Sequence, residues 1–191
     1  MTTIGKLIGI ALLVAGVAAP AFAEAPSDSL YRLDLTLVDQ DAHAFHLSDR
    51  AGKPQLVSMF YTSCQYTCPL IVEAMKKNQS TLTADERARL QMLLVSFDSK
   101  RDTPERLKQV AAQRKTESPT WTLAHAEPQD VRKLAAALDI QYRELAGGDF
   151  SHASTLVLLS SDGRILARTT ALGDLDTQFV TALHAALAHQ D

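Results

Sequence analysis

Cysteine is scarce in this chain: there are two among 191 residues, Cys64 and Cys68. A framework of several disulfides is therefore excluded; zinc is chemically possible at two cysteines and one histidine, but a structural zinc site would want a fourth ligand. Cys-x-x-Cys-His does not occur, which excludes covalent haem attachment, and no nucleotide-binding glycine pattern is present. There is no long basic run and the formal net charge is −3, so nucleic acid and anionic membrane surfaces are poor partners on electrostatic grounds. Repeats, low-complexity tracts and interdomain linkers are also missing. What remains is an ordinary globular composition, 46% hydrophobic and 21% charged, suited to one domain with a substantial core.

The first residues read as a secretory signal covering 1–23. Lys6 supplies a positive start, Leu7 to Ala19 is apolar, and Ala21-Phe22-Ala23 offers a small-x-small cleavage pattern. The apolar run falls short of the roughly 20 residues of a spanning helix, so cleavage is expected rather than anchoring. No cysteine lies at the cleavage point to carry a lipid. The expected product is a single domain over 24–191, exported to the periplasm, where disulfides can form.

Both cysteines lie in Leu56-Val57-Ser58-Met59-Phe60-Tyr61-Thr62-Ser63-Cys64-Gln65-Tyr66-Thr67-Cys68-Pro69. Leu56 to Tyr61 is a buried-strand pattern, a polar loop follows, and Pro69 suits a helix start. Cys68 is thus expected just before a helix, where free N–H groups and the dipole favour a thiolate. Two soft sulfurs four residues apart can close a disulfide or hold a soft metal such as Cu(I). As a mere staple the pair would contribute only about 2 kcal/mol, because the ring is short.

Along the rest of the chain, Tyr31 to Val38 alternates like a half-buried strand, and Ala44 to Leu47 returns as the second arm of an N-terminal β-hairpin. Helices are predicted over 69–79, 84–90, 104–114, 127–138 and 174–188. Thr83 to Glu86 forms a capping box, and Pro104 opens its helix. Strands are predicted over 91–97 and 120–125, with an edge strand over 140–145. A Gly-rich loop, Ala146 to His152, leads into a strand over 155–160, an Asp162-Gly163 turn and an antiparallel return over 165–170. This order predicts an α/β protein with a mixed central sheet flanked by helices, and a thioredoxin-like fold fits it.

Three stretches carry a family resemblance: Phe60 to Pro69 with its Thr62, Cys64, Cys68 and Pro69; Val95 to Pro104 with Asp98, Arg101, Asp102, Thr103 and Pro104; and Ser151-His152-Ala153-Ser154 ahead of a strand. Together they resemble the Sco/SenC family, thioredoxin-fold proteins that handle copper during assembly of cytochrome c oxidase. Gln65 departs from the family's usual proline and restores a backbone N–H to the loop. The resemblance implies Cys64, Cys68 and His152 as copper ligands, binding Cu(I) and also Cu(II). It implies a metallochaperone serving the binuclear copper site of the oxidase subunit, with other periplasmic copper chaperones or thiol reductases as further partners.

The alternative is a thiol-disulfide oxidoreductase with Cys64 and Cys68 as its redox-active pair, which keeps that subunit's cysteines reduced; one thiolate pair could do both. A peroxiredoxin-type peroxidase would need Pro at position 61 and Thr at 65, where Tyr61 and Gln65 stand. Without the resemblance, His152 reads as an ordinary loop histidine. His125 reads as packing or polar rim, His43 and His46 as hairpin-turn residues, and His184 and His189 as the solvated face of the last helix. Asp98 and Asp102 are candidates for groups behind the ligands or for partner contact, and Asp102 equally for an N-cap.

Overall fold

The computed structural model describes residues 25–117 and 119–188. The signal-sequence reading and His189 lie outside the described residues. Seven strands form one mixed sheet in the order β2 (Ala44–His46), β1 (Thr36–Asp39), β5 (Trp121–Ala126), β4 (Gln91–Ser96), β3 (Gln55–Phe60), β8 (Leu156–Leu159), β9 (Ile165–Thr169). Its centre is parallel: β3 (Gln55–Phe60), β4 (Gln91–Ser96) and β5 (Trp121–Ala126). Crossovers α1 (Thr67–Ser80) with α2 (Ala84–Arg89), then α3 (Pro104–Arg114), join them, as parallel pairing requires. All six residues of β3 are buried, and five of six in β4, which is why both read as continuous apolar runs.

Antiparallel pairs complete the two sides. On one, β1 (Thr36–Asp39) pairs with β5 and with β2 (Ala44–His46). On the other, β8 (Leu156–Leu159) pairs with β3 and with β9 (Ile165–Thr169). α4 (Pro128–Ala137) packs on β5 and α5 (Thr177–Ala188) on β9. The expected N-terminal hairpin, mixed sheet and flanking helices are all present. No described helix is long and apolar enough to cross a membrane.

Several local expectations are corrected. The strand predicted from Tyr31 begins only at Thr36, because Leu30–Arg32 is a 3-10 turn capped by Ser29 and docked on the β8–β9 connection. The Leu30 N–H donates to the Gly163 carbonyl at 2.9 Å. Gly163 has φ +83, and a Cβ there would lie 2.6 Å from the Tyr31 ring, so this contact requires glycine. The segment 140–145 does not extend the main sheet. Within it β6 (Tyr142–Glu144) pairs with β7 (Phe150–His152) as a separate two-stranded ribbon. His184 is not simply solvated: its Nδ1 lies 2.9 Å from Glu86 Oε1 and ties α5 to α2.

Candidate metal centre

β3 ends at Phe60, and the chain turns at the carboxyl end of the parallel strands, the usual place for sites in such sheets. α1 starts at Thr67, earlier than Pro69, so Cys68 sits inside the first helical turn instead of preceding it. Cys64 lies in the loop. The Cys68 N–H points at Cys64 Sγ, 3.3 Å away, and the Tyr61 N–H points at Cys68 Sγ, 3.4 Å away. Both thiols are free.

The ribbon supplies the third group. His152 ends β7, and its Nε2 lies 3.7 Å from Cys68 Sγ. One ligand atom from each of Cys64, Cys68 and His152 fits within a span of 4.8 Å. His152 Nδ1 lies 3.1 Å from the Ala153 carbonyl. A carbonyl can only accept, so Nδ1 carries the proton and Nε2 presents its lone pair to the sulfurs. Burial holds the imidazole pKa below its ordinary value, against the opposing pull of that carbonyl. A neutral imidazole with a free lone pair is the ligand-competent form.

The two thiols differ, and not as the helix-terminus argument expects. Burial pushes the Cys68 pKa far up; the Tyr61 N–H opposes this, while neighbouring Cys64 and the Asp102 carboxyl reinforce it. Burial also works against the Cys64 thiolate. There the N–H of Cys68, the Cys68 thiol and the N–H groups of Tyr66 and Thr67 outweigh it, so the Cys64 pKa lies below the ordinary thiol value. The helix start does favour a thiolate, but on the sulfur facing the N–H groups. Limiting iodoacetamide on reduced, metal-free protein at neutral pH should therefore label Cys64 ahead of Cys68 by at least about tenfold, because the thiolate is the nucleophile. Peptide mass spectrometry reads the order, and equal labelling would refute it.

Around His152 stands an aromatic box that the sequence did not reveal. Phe97 lies 5.0 Å from the imidazole, centroid to centroid, and stacks on Tyr142 at 4.7 Å. Tyr61 meets Phe150 edge-on at 5.2 Å and His152 at 6.0 Å. Tyr61 and Phe97 follow β3 and β4, so along the chain they look like core; their role appears only once the ribbon folds over them.

Asp102 is not the N-cap of α3, because Thr103 is. The Asp102 side chain is instead buried behind the cysteine loop, where it accepts from the Thr62 N–H at 2.9 Å and from the Thr62 and Ser96 hydroxyls at 2.5 Å each. Asp98 is buried too and pairs with Arg101. His125 lies on β5, and His43 and His46 on the β1–β2 hairpin; none joins the Cys64, Cys68 and His152 group.

Two sulfurs and one neutral imidazole suit a soft ion of low coordination number. A protein of Stutzerimonas stutzeri whose name describes it as copper-binding is 27% identical over 146 residues, covering 74% of this chain and 70% of that one. A crystal structure from Aquifex aeolicus VF5, described as an electron transfer protein, is 30% identical with a TM-score of 0.74, covering 83% of this chain and 93% of that one. Copper-bound ScoI of Bradyrhizobium japonicum shares the fold at 20% identity and TM-score 0.67, covering 80% and 96%. The SCO1/SenC family model matches residues 23–187, nearly the whole described chain and every residue of the site, and the protein belongs to that family.

Proposed function

We propose that the protein binds copper through Cys64, Cys68 and His152 and delivers it to the binuclear copper site of cytochrome c oxidase during assembly, acting in the periplasm. One observation carries this reading: a soft sulfur pair and a lone-pair-bearing imidazole, far apart in sequence, converge within 4.8 Å. Sco proteins are associated with assembly of the oxidase, which supports the choice of recipient. Cu(I) is the expected cargo, since two thiolates and one imidazole satisfy its softness and low coordination number; Cu(II) is a second accessible state.

The thiol asymmetry favours a second reading, reduction of disulfides in the same oxidase subunit. Cys64 thiolate would attack a substrate disulfide and release one substrate thiolate, leaving a mixed disulfide. Cys68, losing its proton, would then attack Cys64 Sγ and release the second substrate thiolate, so that two substrate sulfurs are reduced and Cys64–Cys68 is oxidised.

Competition against a Cu(I) chelator separates these readings. Reduced protein should take one tight equivalent. His152→Ala should bind at least about 10-fold more weakly, since removing a ligand costs no less than removing the groups that orient one, and Cys64→Ser/Cys68→Ser should not compete at all. Failure of the parent protein to compete would eliminate the copper reading and leave the oxidoreductase.

A further inference from the structure

Among the described residues, the β6–β7 ribbon that carries His152 pairs as strands only with itself: Tyr142 opposite His152, Arg143 opposite Ser151, Glu144 opposite Phe150. It is not a strand of the seven-stranded sheet. Phe150, at the turn end of the pairing and midway along the chain between Gly148 and His152, packs near Phe97 and Tyr61 and offers its carbonyl to the Tyr61 hydroxyl at 3.5 Å. At the ribbon tip the chain reverses through Gly147 and Gly148, where the Leu145 N–H donates to the Asp149 carbonyl at 2.7 Å.

Arg101 reaches that tip from the β4–α3 loop. Its Nε donates to the Asp98 carboxylate and its Nη2 to the Gly148 carbonyl. Asp98 is 5% exposed and also accepts the Arg101 backbone N–H at 3.3 Å, so the guanidinium is aimed from a fixed base. Gly148 has φ +85, and a Cβ there would sit 3.2 Å from Arg101 Nη1. The turn is thus shaped to admit the guanidinium against bare backbone.

We propose that Arg101 is a positioning residue for His152. It pins the ribbon tip, Phe150 is the pivot, and His152 at the far end is thereby held toward Cys68. The inference rests on the copper-site reading and assigns control of that site's third ligand to a residue outside it. The guanidinium side chain is 47% exposed, so the ion pair by itself stabilises the fold little. Its consequence is geometric. With the tip released, the ribbon tilts on Phe150 and the imidazole leaves the sulfurs, while the cysteine loop, held separately by Asp102, stays in place. A fork is needed because Nε and Nη2 serve two different acceptors; an ammonium on a flexible stem cannot hold both in fixed geometry.

The test uses Arg101→Ala, Arg101→Lys and Gly148→Ala, each in the parent and in a His152→Ala background. In reduced, metal-free protein the His152 ring-proton signals, shifted by the nearby Phe97 ring, should move toward free-histidine positions in Arg101→Ala and Gly148→Ala. Arg101→Lys should resemble Arg101→Ala rather than rescue it. By chelator competition each should bind Cu(I) about fivefold more weakly in the parent background, with no further loss when His152 is already absent. Unmoved His152 signals, or an equal loss in the His152→Ala background, would overturn the proposal. If parent Cu(I) binding is indifferent to His152, the ligand reading fails on its own, and the ring-proton shifts still decide whether Arg101 positions the imidazole.

Discussion

Asp102→Ala is expected to lower global stability by about 3 kcal/mol, the summed scale of three hydrogen bonds lost inside the protein. For a domain of this length that corresponds to a fall in Tm of about 10 °C. The side chain is 1% exposed, and its three donors come from two segments: Thr62 in the cysteine loop and Ser96 at the end of β4. Truncation leaves the fully buried Ser96 hydroxyl without this acceptor and opens a void that the Ala side chain cannot fill. The Thr62 hydroxyl keeps a contact with Arg106 Nε at 3.3 Å, so the loop is loosened rather than released.

Asp102→Asn separates shape from hydrogen bonding. It preserves volume but turns one acceptor oxygen into a donor facing other donors, so an intermediate loss is expected. Thermal melts of the two variants beside the parent check this. An Ala variant that melts within about 2 °C of the parent would show that Asp102 is not what ties the loop to β4.

How much of this was legible beforehand follows the range of each interaction. β3 and β4 declared themselves because strands covered on both faces are apolar without interruption. The cysteine loop and its helix were legible because one turn of chain contains them. Even there α1 begins two residues before Pro69, and the more acidic thiol is Cys64 rather than Cys68: dipole and N–H groups are local, whereas burial of Cys68 depends on what the rest of the chain stacks over it.

His152 was different. Its residue type and neighbours resemble a loop histidine, and only the family resemblance singled it out. Its approach to Cys68 is set by Phe97 and Tyr61, long-range contacts beneath a ribbon whose own pairing, β6 with β7, is local. The Asp102 network was hidden for a related reason. Asp-Thr-Pro before a helix offers two residues able to cap it, and the choice of Thr103 frees Asp102 to turn inward toward Thr62 and Ser96. Local pattern could not select between them; the position of β3 beside β4 did.

The same thiol asymmetry sets the pH dependence expected of the proposed copper site. Cu(I) displaces every proton its ligands hold in the free protein, so log K should rise with pH by one unit for each proton displaced. Cys68, its pKa pushed far up mainly by burial, holds its proton across the accessible range, which gives a persistent slope of one. Cys64, with its pKa lowered, contributes a second proton only below that pKa. His152, held below the ordinary imidazole value mainly by burial, adds a third only at the acid end.

Affinity should therefore weaken as pH falls, about tenfold per unit in alkaline solution and about a hundredfold per unit once Cys64 is protonated. The bend between the two slopes should fall below the ordinary thiol range. Chelator competition across a pH series, corrected for the chelator's own protons, measures it. Cys68→Ser should abolish the alkaline slope along with most of the affinity, whereas Arg101→Ala should leave that slope intact and shift the whole curve. A parent curve that is flat above neutral pH would mean that Cys68 is already a thiolate in the free protein. Burial would then have lost to the Tyr61 N–H, and the two cysteines would enter copper binding as equals.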